Sequence, residues 1–290
     1  MKTAVIAMAY GSPSTIEDVP AYLQDVRGGR PARPEVVEEL AERYRRIGGV
    51  SPLNERTEAQ RAALERELGL PVYVGMKHWE PRIADAVQEA IAGGAERIVG
   101  LVLAPHYSRM SIGEYRERVE NGLNGAKVEL RFIDSWGAHR PFVDVLAARI
   151  RGTSAHVVFT AHSLPARILA DGDPYRDQLL ETARLVAGRA GLDPERWSFA
   201  FQSESPTGEA WLGPDILAEL TRLRAQGVDS VLVAPIGFVA DHLEILWDLD
   251  IVASELAATL GLRFERTPSL NDDPDFIRAL AGVVRKEVGS

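Results

Sequence analysis

The stretch Val231–Asp250, VLVAPIGFVADHLEILWDLD, changes character once, and that change decides how the whole chain is read. Val231, Leu232, Val233 and Ala234 form a continuous apolar run, the pattern of a parallel strand buried on both faces, and Pro235 and Gly237 end it. From Asp241 the spacing predicts a helix to about Leu260, with Gly261 as its C-terminal stop. At about 100° per residue, Asp241, Glu244, Asp248 and Glu255 share one narrow stripe, whereas Asp250 points away. The other faces carry Leu243, Ile245, Leu246, Trp247, Leu249, Ile251 and Val252, so the helix is expected to be buried nearly all round. A buried carboxylate stripe needs a cation, a proton or a wet cavity. Compensation of the helix dipole accounts for Asp241 and partly for Glu244, but it has faded by Asp248 and Glu255. A functional acidic stripe is the reading that covers all four.

Outward from this stretch, strand patterns alternate with helical ones. Strands are expected at Thr3–Ala9, Val72–Met76, Arg97–Ala104, Val128–Ile133, Ala155–Thr160, Trp197–Phe201, Ser230–Ile236 and Arg263–Thr267, with helices between them. Such alternation implies α/β architecture with parallel sheets covered by helices on both faces. The halves echo each other: the first strand of each ends in a polar ring, Tyr10 or His162, followed by Pro13 or Pro165. The third strand of each ends in Ala-Pro, at Ala104-Pro105 and Ala234-Pro235. Two Rossmann-like three-layer domains related by a pseudo-twofold follow, divided as 1–140 and 141–262, with 263–290 expected to pack back on the first. Ligands in such sheets bind at the carboxyl ends of strands. Tyr10, His106, His162, Gln202 and the Asp241 stripe are therefore expected to converge on one cleft.

Composition narrows the chemistry. The chain has 290 residues and a net charge of −9, which disfavours nucleic acid as a partner. It has no cysteine, which excludes disulfides, thiolate zinc, cysteine nucleophiles and cysteine-ligated iron–sulfur clusters. The opening MKTAVIAMAYGS is too short an apolar segment for a signal peptide, and no run reaches the roughly 20 apolar residues of a membrane span. A cytoplasmic location is expected.

His162, in FTAHSLP, takes a proton or offers a lone pair near neutral pH. With Glu244 and Asp248 it gives one nitrogen and several oxygens, a set suited to a divalent metal held loosely and in transit. Asp241-His242 with Ser163 or Ser12 lacks the G-x-S-x-G elbow of a hydrolase. Tyr10 reads equally as a ligand to a metal or macrocycle and as a core ring. Arg27, Arg43, Arg45 and Arg46 read as a solvated basic face or, near Ser12 and Ser51, as carboxylate recognition. His78, His139 and His156 read as structural.

Several segments resemble the ferrochelatases: MAYGSP near the start, GGVSPL at Gly48–Leu53, LAPHYSRMS at Leu103–Ser111, FTAHSLP at Phe159–Pro165, WLGPD at Trp211–Asp215 and PIGFVADHLEILWDLD at Pro235–Asp250. The resemblance covers almost the whole chain and implies chelatase-type domains with a porphyrin cleft between them. It implies insertion of Fe2+, a substrate, into a porphyrin during haem biosynthesis, with no tightly bound cofactor. It further implies that His162 and Glu244 are the catalytic, metal-facing pair, that Tyr10 approaches the metal from the opposite face, and that Asp248, Asp241 and Glu255 form an acidic relay. Ser12, Arg43, Tyr44, Ser51 and Tyr115 match positions that hold propionates, and Arg27 matches a basic residue near the metal path. The bacterial coproporphyrin III type is the expected substrate class. Protoporphyrin IX, a sirohydrochlorin chelatase and a non-catalytic tetrapyrrole carrier are the alternatives. Partners beyond porphyrin and iron are limited to transient contacts with haem-pathway enzymes. Where the family's acidic row continues with glutamate, this chain has Val252.

Overall fold

The computed structural model describes residues 1–205 and 208–289. Eight strands form two four-stranded sheets. The first contains β1 (Thr3–Ala9), β2 (Val72–Met76), β3 (Arg97–Val102) and β4 (Glu129–Ile133); the second contains β5 (His156–His162), β6 (Trp197–Gln202), β7 (Ser230–Ala234) and β8 (Arg263–Arg266). Both run in the same order, β2-β1-β3-β4 and β6-β5-β7-β8, and every pairing is parallel. The first strand of each half therefore lies inside its sheet. All of β1 is buried, which explains why Thr3–Ala9 shows no polar alternation.

The register places the central strands face to face with apolar partners, Val5 beside both Val72 and Val99, and Phe159 beside both Phe199 and Ala234. One core cluster runs through both halves, joining Val5, Val99 and Trp136 to Phe159, Val186 and Phe276. The Trp136 and Phe142 rings meet edge to face at 4.8 Å. Each such ring adds about 0.5–1.5 kcal/mol beyond its buried area, so the seam between the halves is itself core.

The C-terminal segment divides differently from the expected grouping of 263–290. Arg263–Arg266 is the edge strand of the second sheet, paired from Ser230–Arg263 to Val233–Arg266, so the boundary after residue 262 falls inside that sheet. The strand is short and alternates exposed with half-buried residues, which is why its apolar signal is weak. The helix Pro274–Gly289 packs against the helices Leu53–Leu68 and Arg140–Ile150.

The acidic helix departs from the expected α-helix. Ile245–Ala253 is a π-helix, continued by a short α-helix at Ser254–Leu260 and ended by Gly261 at φ +66°. Its burial is one-sided: Ile245, Leu249, Ala253 and Ala257 are buried against Val231, Val233, Ile216 and Leu220, while Leu246, Trp247, Ile251 and Val252 stay half-exposed. Among the described residues, no helix is long and apolar enough to cross a membrane.

Candidate active site

β5 ends at His162, and the loop after β7 passes directly over it. A side chain at Gly237 would place its Cβ 2.4 Å from Ala161 Cβ, so only glycine lets the loop descend onto the strand. Gly237 N–H donates to Thr160 O at 3.1 Å, Gln202 Nε2 donates to Glu244 O at 3.2 Å, and Gln202 Oε1 accepts from Thr160 Oγ1. These contacts bring the start of the π-helix to the end of β5. Glu244 Oε1 lies 3.4 Å from His162 Nε2, with both side chains about a third exposed, at 35% and 29%.

His162 Nδ1 bonds the Ser163 carbonyl, which leaves Nε2 for the cleft, and Tyr175 Oη–H holds the His162 carbonyl at 3.0 Å. Desolvation alone would lower the imidazole. The Glu244 carboxylate, the Glu244 and Ser163 hydrogen bonds and the Asp248 charge outweigh it and raise the pKa to about 9. Burial conversely raises Glu244, but His162 and His242 overcome it and hold its carboxyl well below the usual range. The two behave as an ion pair at neutral pH. Asp248 accepts from Ser203 Oγ; burial, and secondarily the Glu244 charge, leave it raised to about 6.

The opposing wall comes from the first half. Tyr10 follows β1, is 42% exposed, and its ring lies 4.6 Å from His78 with the Lys77 ammonium 5.7 Å from the ring centre. Its phenol is raised far above the ordinary value by burial of the oxygen, then by the charges of Glu244, Glu114 and Asp25. Tyr10 and the buried Tyr44 both sense Glu244, so the walls share one electrostatic space. His78 is anchored by Asp25 Oδ2 at 2.9 Å, and Arg82 holds the other oxygen of Asp25 at 2.9 Å.

His162, Glu244 and Asp248 are thus brought together, and the charge of Glu244 reaches Tyr10 and Tyr44 of the first half. The rest of the expected acidic relay is dispersed. Asp241 is turned to Asn271, whose amide donates at 2.9 Å, and to Arg266 at 3.5 Å. Glu255 pairs with Arg46 of the helix Pro34–Arg46 at 2.9 Å. Asp250, expected on the opposite side from Asp241, bonds the same Arg266.

The basic and hydroxyl residues are also spread out. Arg27 is exposed at the end of the helix Val19–Val26, and Ser51 Oγ accepts from Leu53 N–H at 3.3 Å. Arg43 pairs with Glu39 and lies 5.6 Å from the Trp247 ring centre. Tyr115 is buried beneath Lys77. Ser12 is buried, with a hydroxyl that bonds no other described residue.

His106 does not join the cleft. It is buried at the seam, bonds Thr182 Oγ1 at 2.9 Å, and desolvation lowers it to about 3. Two residues missed from sequence do join. His242 Nε2 lies 3.6 Å from Glu244 Oε2, and the His78 ring lies against Tyr10 at 4.6 Å, tilted by 51°. The D-H-L-E spacing and the adjacency of Lys77-His78 to a strand end were the signals that carried them. Among the described residues, no three His, Asp or Glu side chains are gathered around a common metal position.

Twin parallel-sheet domains with a histidine–carboxylate pair between strand ends define a chelatase-type enzyme. The fold agrees with that of SirB from Bacillus subtilis, solved with Fe3+, at a TM-score of 0.64 over 99% of this chain and 96% of that one, with 13% identity. A family model for ferrochelatase matches residues 2–288, and the chain belongs to the ferrochelatase family, enzymes that insert iron into a porphyrin. It is 45% identical to the ferrochelatase of Herpetosiphon aurantiacus over 98% of both chains. It is 42% identical to that of Deinococcus radiodurans over 98% of this chain and 95% of the other. The coproporphyrin III ferrochelatase of Oceanobacillus iheyensis is 38% identical over 100% of this chain and 98% of its own.

Proposed function

We propose that the porphyrin is coproporphyrin III and that the His162–Glu244 pair is the group that takes its pyrrole protons as Fe2+ enters. The observation that carries this reading is the 3.4 Å contact between His162 Nε2 and Glu244 Oε1, with Nδ1 tied to a carbonyl. Insertion of Fe2+ releases two pyrrole protons. His162, raised to about 9, already holds a proton at rest, so it takes a pyrrole proton only after passing its own to Asp248. Asp248, raised to about 6, gives that proton to water at neutral pH, and a second such cycle removes the other pyrrole proton. The approaching dication lowers both values by Coulomb repulsion with the proton, which drives the proton outward as the metal moves inward. Tyr10 covers the opposite face of the macrocycle, where its neutral phenol adds no charge to compete with iron. Glu255 and Asp241 act on this centre only through Arg46 and Asn271, not as steps of the path.

The choice of coproporphyrin III rests on the relatives that bear that name at 37–38% identity across the whole chain. It also rests on the arginines of Pro34–Arg46 beside the half-exposed Trp247. A substrate with four propionates has more carboxylates to give such a wall than one with two. The enzyme works in the cytoplasm with no resident cofactor, iron being substrate.

Anaerobic insertion assays with Fe2+ test both parts. His162→Ala, with folding intact and porphyrin fluorescence quenching retained, is expected to lose at least about a hundredfold in kcat; unchanged insertion overturns the base assignment. Steady-state kcat/KM is expected to be higher for coproporphyrin III than for protoporphyrin IX, and the reverse order overturns the substrate.

A further inference from the structure

Asp241 stands three residues before Glu244, yet its carboxylate does not reach the cleft; what holds it there bears on where Glu244 lies. Asp241 N–H donates to Asn271 Oδ1 at 2.9 Å, and Asn271 Nδ2 donates back to Asp241 Oδ2 at 2.9 Å. Asn271 N–H also donates to Val239 O at 2.8 Å. Three hydrogen bonds thus bind one residue to the turn from Val239 to Asp241. Asn271 sits at φ +46°, a left-handed conformation that asparagine tolerates and most side chains do not. Gln60, from the helix Leu53–Leu68 of the first half, closes the arrangement: its Nε2 donates to Val239 O at 3.2 Å and to Asn271 O at 2.9 Å.

The turn held in this way leads straight into the reacting pair. His242 Nδ1 is fixed on Ala240 O at 2.9 Å, and its Nε2 faces Glu244 Oε2 at 3.6 Å while Glu244 Oε1 faces His162. We propose that Asn271 is a positioning residue for iron insertion, the reciprocal clamp on Asp241 through which the turn aims His242 and Glu244 at His162. The inference rests on Glu244 and His162 being the reacting pair. Asn271 touches neither substrate, and its effect is transmitted through Asp241 and the backbone of Val239–His242. Gln60 makes the same turn sense the first half of the molecule.

A swap of the two side chains separates positioning from mere structure. Asn271→Asp keeps the tolerance for positive φ and the acceptor for Asp241 N–H but sets a carboxylate against a carboxylate. The expected result is a fall in kcat for Fe2+ insertion of about tenfold or more, with KM for the porphyrin changed less than twofold. Adding Asp241→Asn gives the carboxylate now at position 271 two donors from position 241, the backbone N–H and the side-chain amide, in place of the repelling carboxylate, and is expected to return most of the lost kcat. Recovery of thermal stability without recovery of kcat overturns the proposal, as does Asn271→Asp with wild-type kcat. Should Asn271→Asp fold poorly, Gln60→Met in the same assay removes the clamp from the other side, and a wild-type kcat there counts equally against it. Glu244→Gln run in parallel distinguishes the two failures: if it too inserts iron at the wild-type rate, the reacting pair itself is misassigned.

Discussion

Each half of the molecule carries a histidine at the carboxyl edge of its sheet, and the two have opposite ionisation. His106, beyond β3, is buried at the seam with one hydroxyl partner, Thr182, and no carboxylate; desolvation lowers it to about 3. His162, at the end of β5, is also desolvated, but Glu244 at 3.4 Å raises it to about 9. The backbone setting is similar in one further respect: a glycine makes room for each packing. A Cβ at Gly137 would lie 2.6 Å from His106 Nε2, and one at Gly237 would lie 2.4 Å from Ala161 Cβ. A strand end therefore delivers a histidine to an edge; the charge placed opposite decides whether it becomes packing or chemistry. The same Ala-Pro that ends β3 leads to the seam, and the one that ends β7 leads to the acidic π-helix.

The largest expected effect comes from making the second histidine resemble the first. Glu244→Gln leaves desolvation of His162 and the Ser163 bond in place but removes the charge that does most to raise it. The imidazole midpoint, followed by NMR, is expected to fall from about 9 to near or below the ordinary 6.5. Iron insertion is expected to fall by two orders of magnitude or so. A midpoint that stays near 9 would mean that Asp248 or the Ser163 carbonyl carries the shift instead. Stability follows the same signs. His106, lowered on folding, contributes stability that is present above 6.5 and lost as pH falls toward about 3; His162, raised on folding, contributes stability present below 6.5 and lost as pH rises through about 9.

A smaller effect of the opposite sense is expected at Asp248. Its folded pKa, about 6, lies above the ordinary 3.8, so the fold favours the protonated form. That preference is fully present below 3.8 and is lost as pH rises through about 6, which leaves the ionised group a cost at neutral pH. Asp248→Asn keeps an acceptor for Ser203 and is expected to stabilise the protein by roughly 1–2 kcal/mol near pH 7.5 and by little near pH 4. Urea unfolding at the two pH values measures it. A cost that disappears on mutation, accompanied by slower insertion, marks an acid kept for chemistry rather than for folding.

The parallel sheets and their polar edges were legible because buried strands leave continuous apolar runs and Ala-Pro or a polar ring marks where each one stops. His162 and Glu244 were legible as partners because the topology of such sheets brings strand ends together. The stripe was not legible in full. A spacing of 100° assumes an α-helix, whereas the π-helix at Ile245–Ala253 turns by roughly 80° per residue, and Asp241 precedes the helix altogether. The acids consequently separate, to Asn271, His162, Ser203 and Arg46. His106 looked like a cleft residue because burial at a seam between halves leaves no local pattern. Asn271 lay in the turn N-D-D-P, where nothing in the sequence shows which distant backbone its amide will hold.

The weakest expected effect tests where the halves are tied. Arg46 crosses from the first half to Glu255 at 2.9 Å and stands 5.1 Å from the centre of the Trp247 ring, with its side chain 45% exposed and that of Glu255 65% exposed. Exposed ion pairs contribute about 0.2–1 kcal/mol and exposed cation–π contacts about 0.5–1 kcal/mol, the former screened by salt. Arg46→Ala is therefore expected to cost no more than about 1 kcal/mol in urea, and less at high ionic strength, while Thr182→Val, which strips the buried His106 of its partner, costs more. If the order were reversed, the halves would be held by their charged rims, and the seam around His106 would be filling rather than joint. The dry seam is favoured because Trp136, Phe142 and Phe276 pack through it in a single core, whereas Arg46 and Glu255 keep most of their hydration.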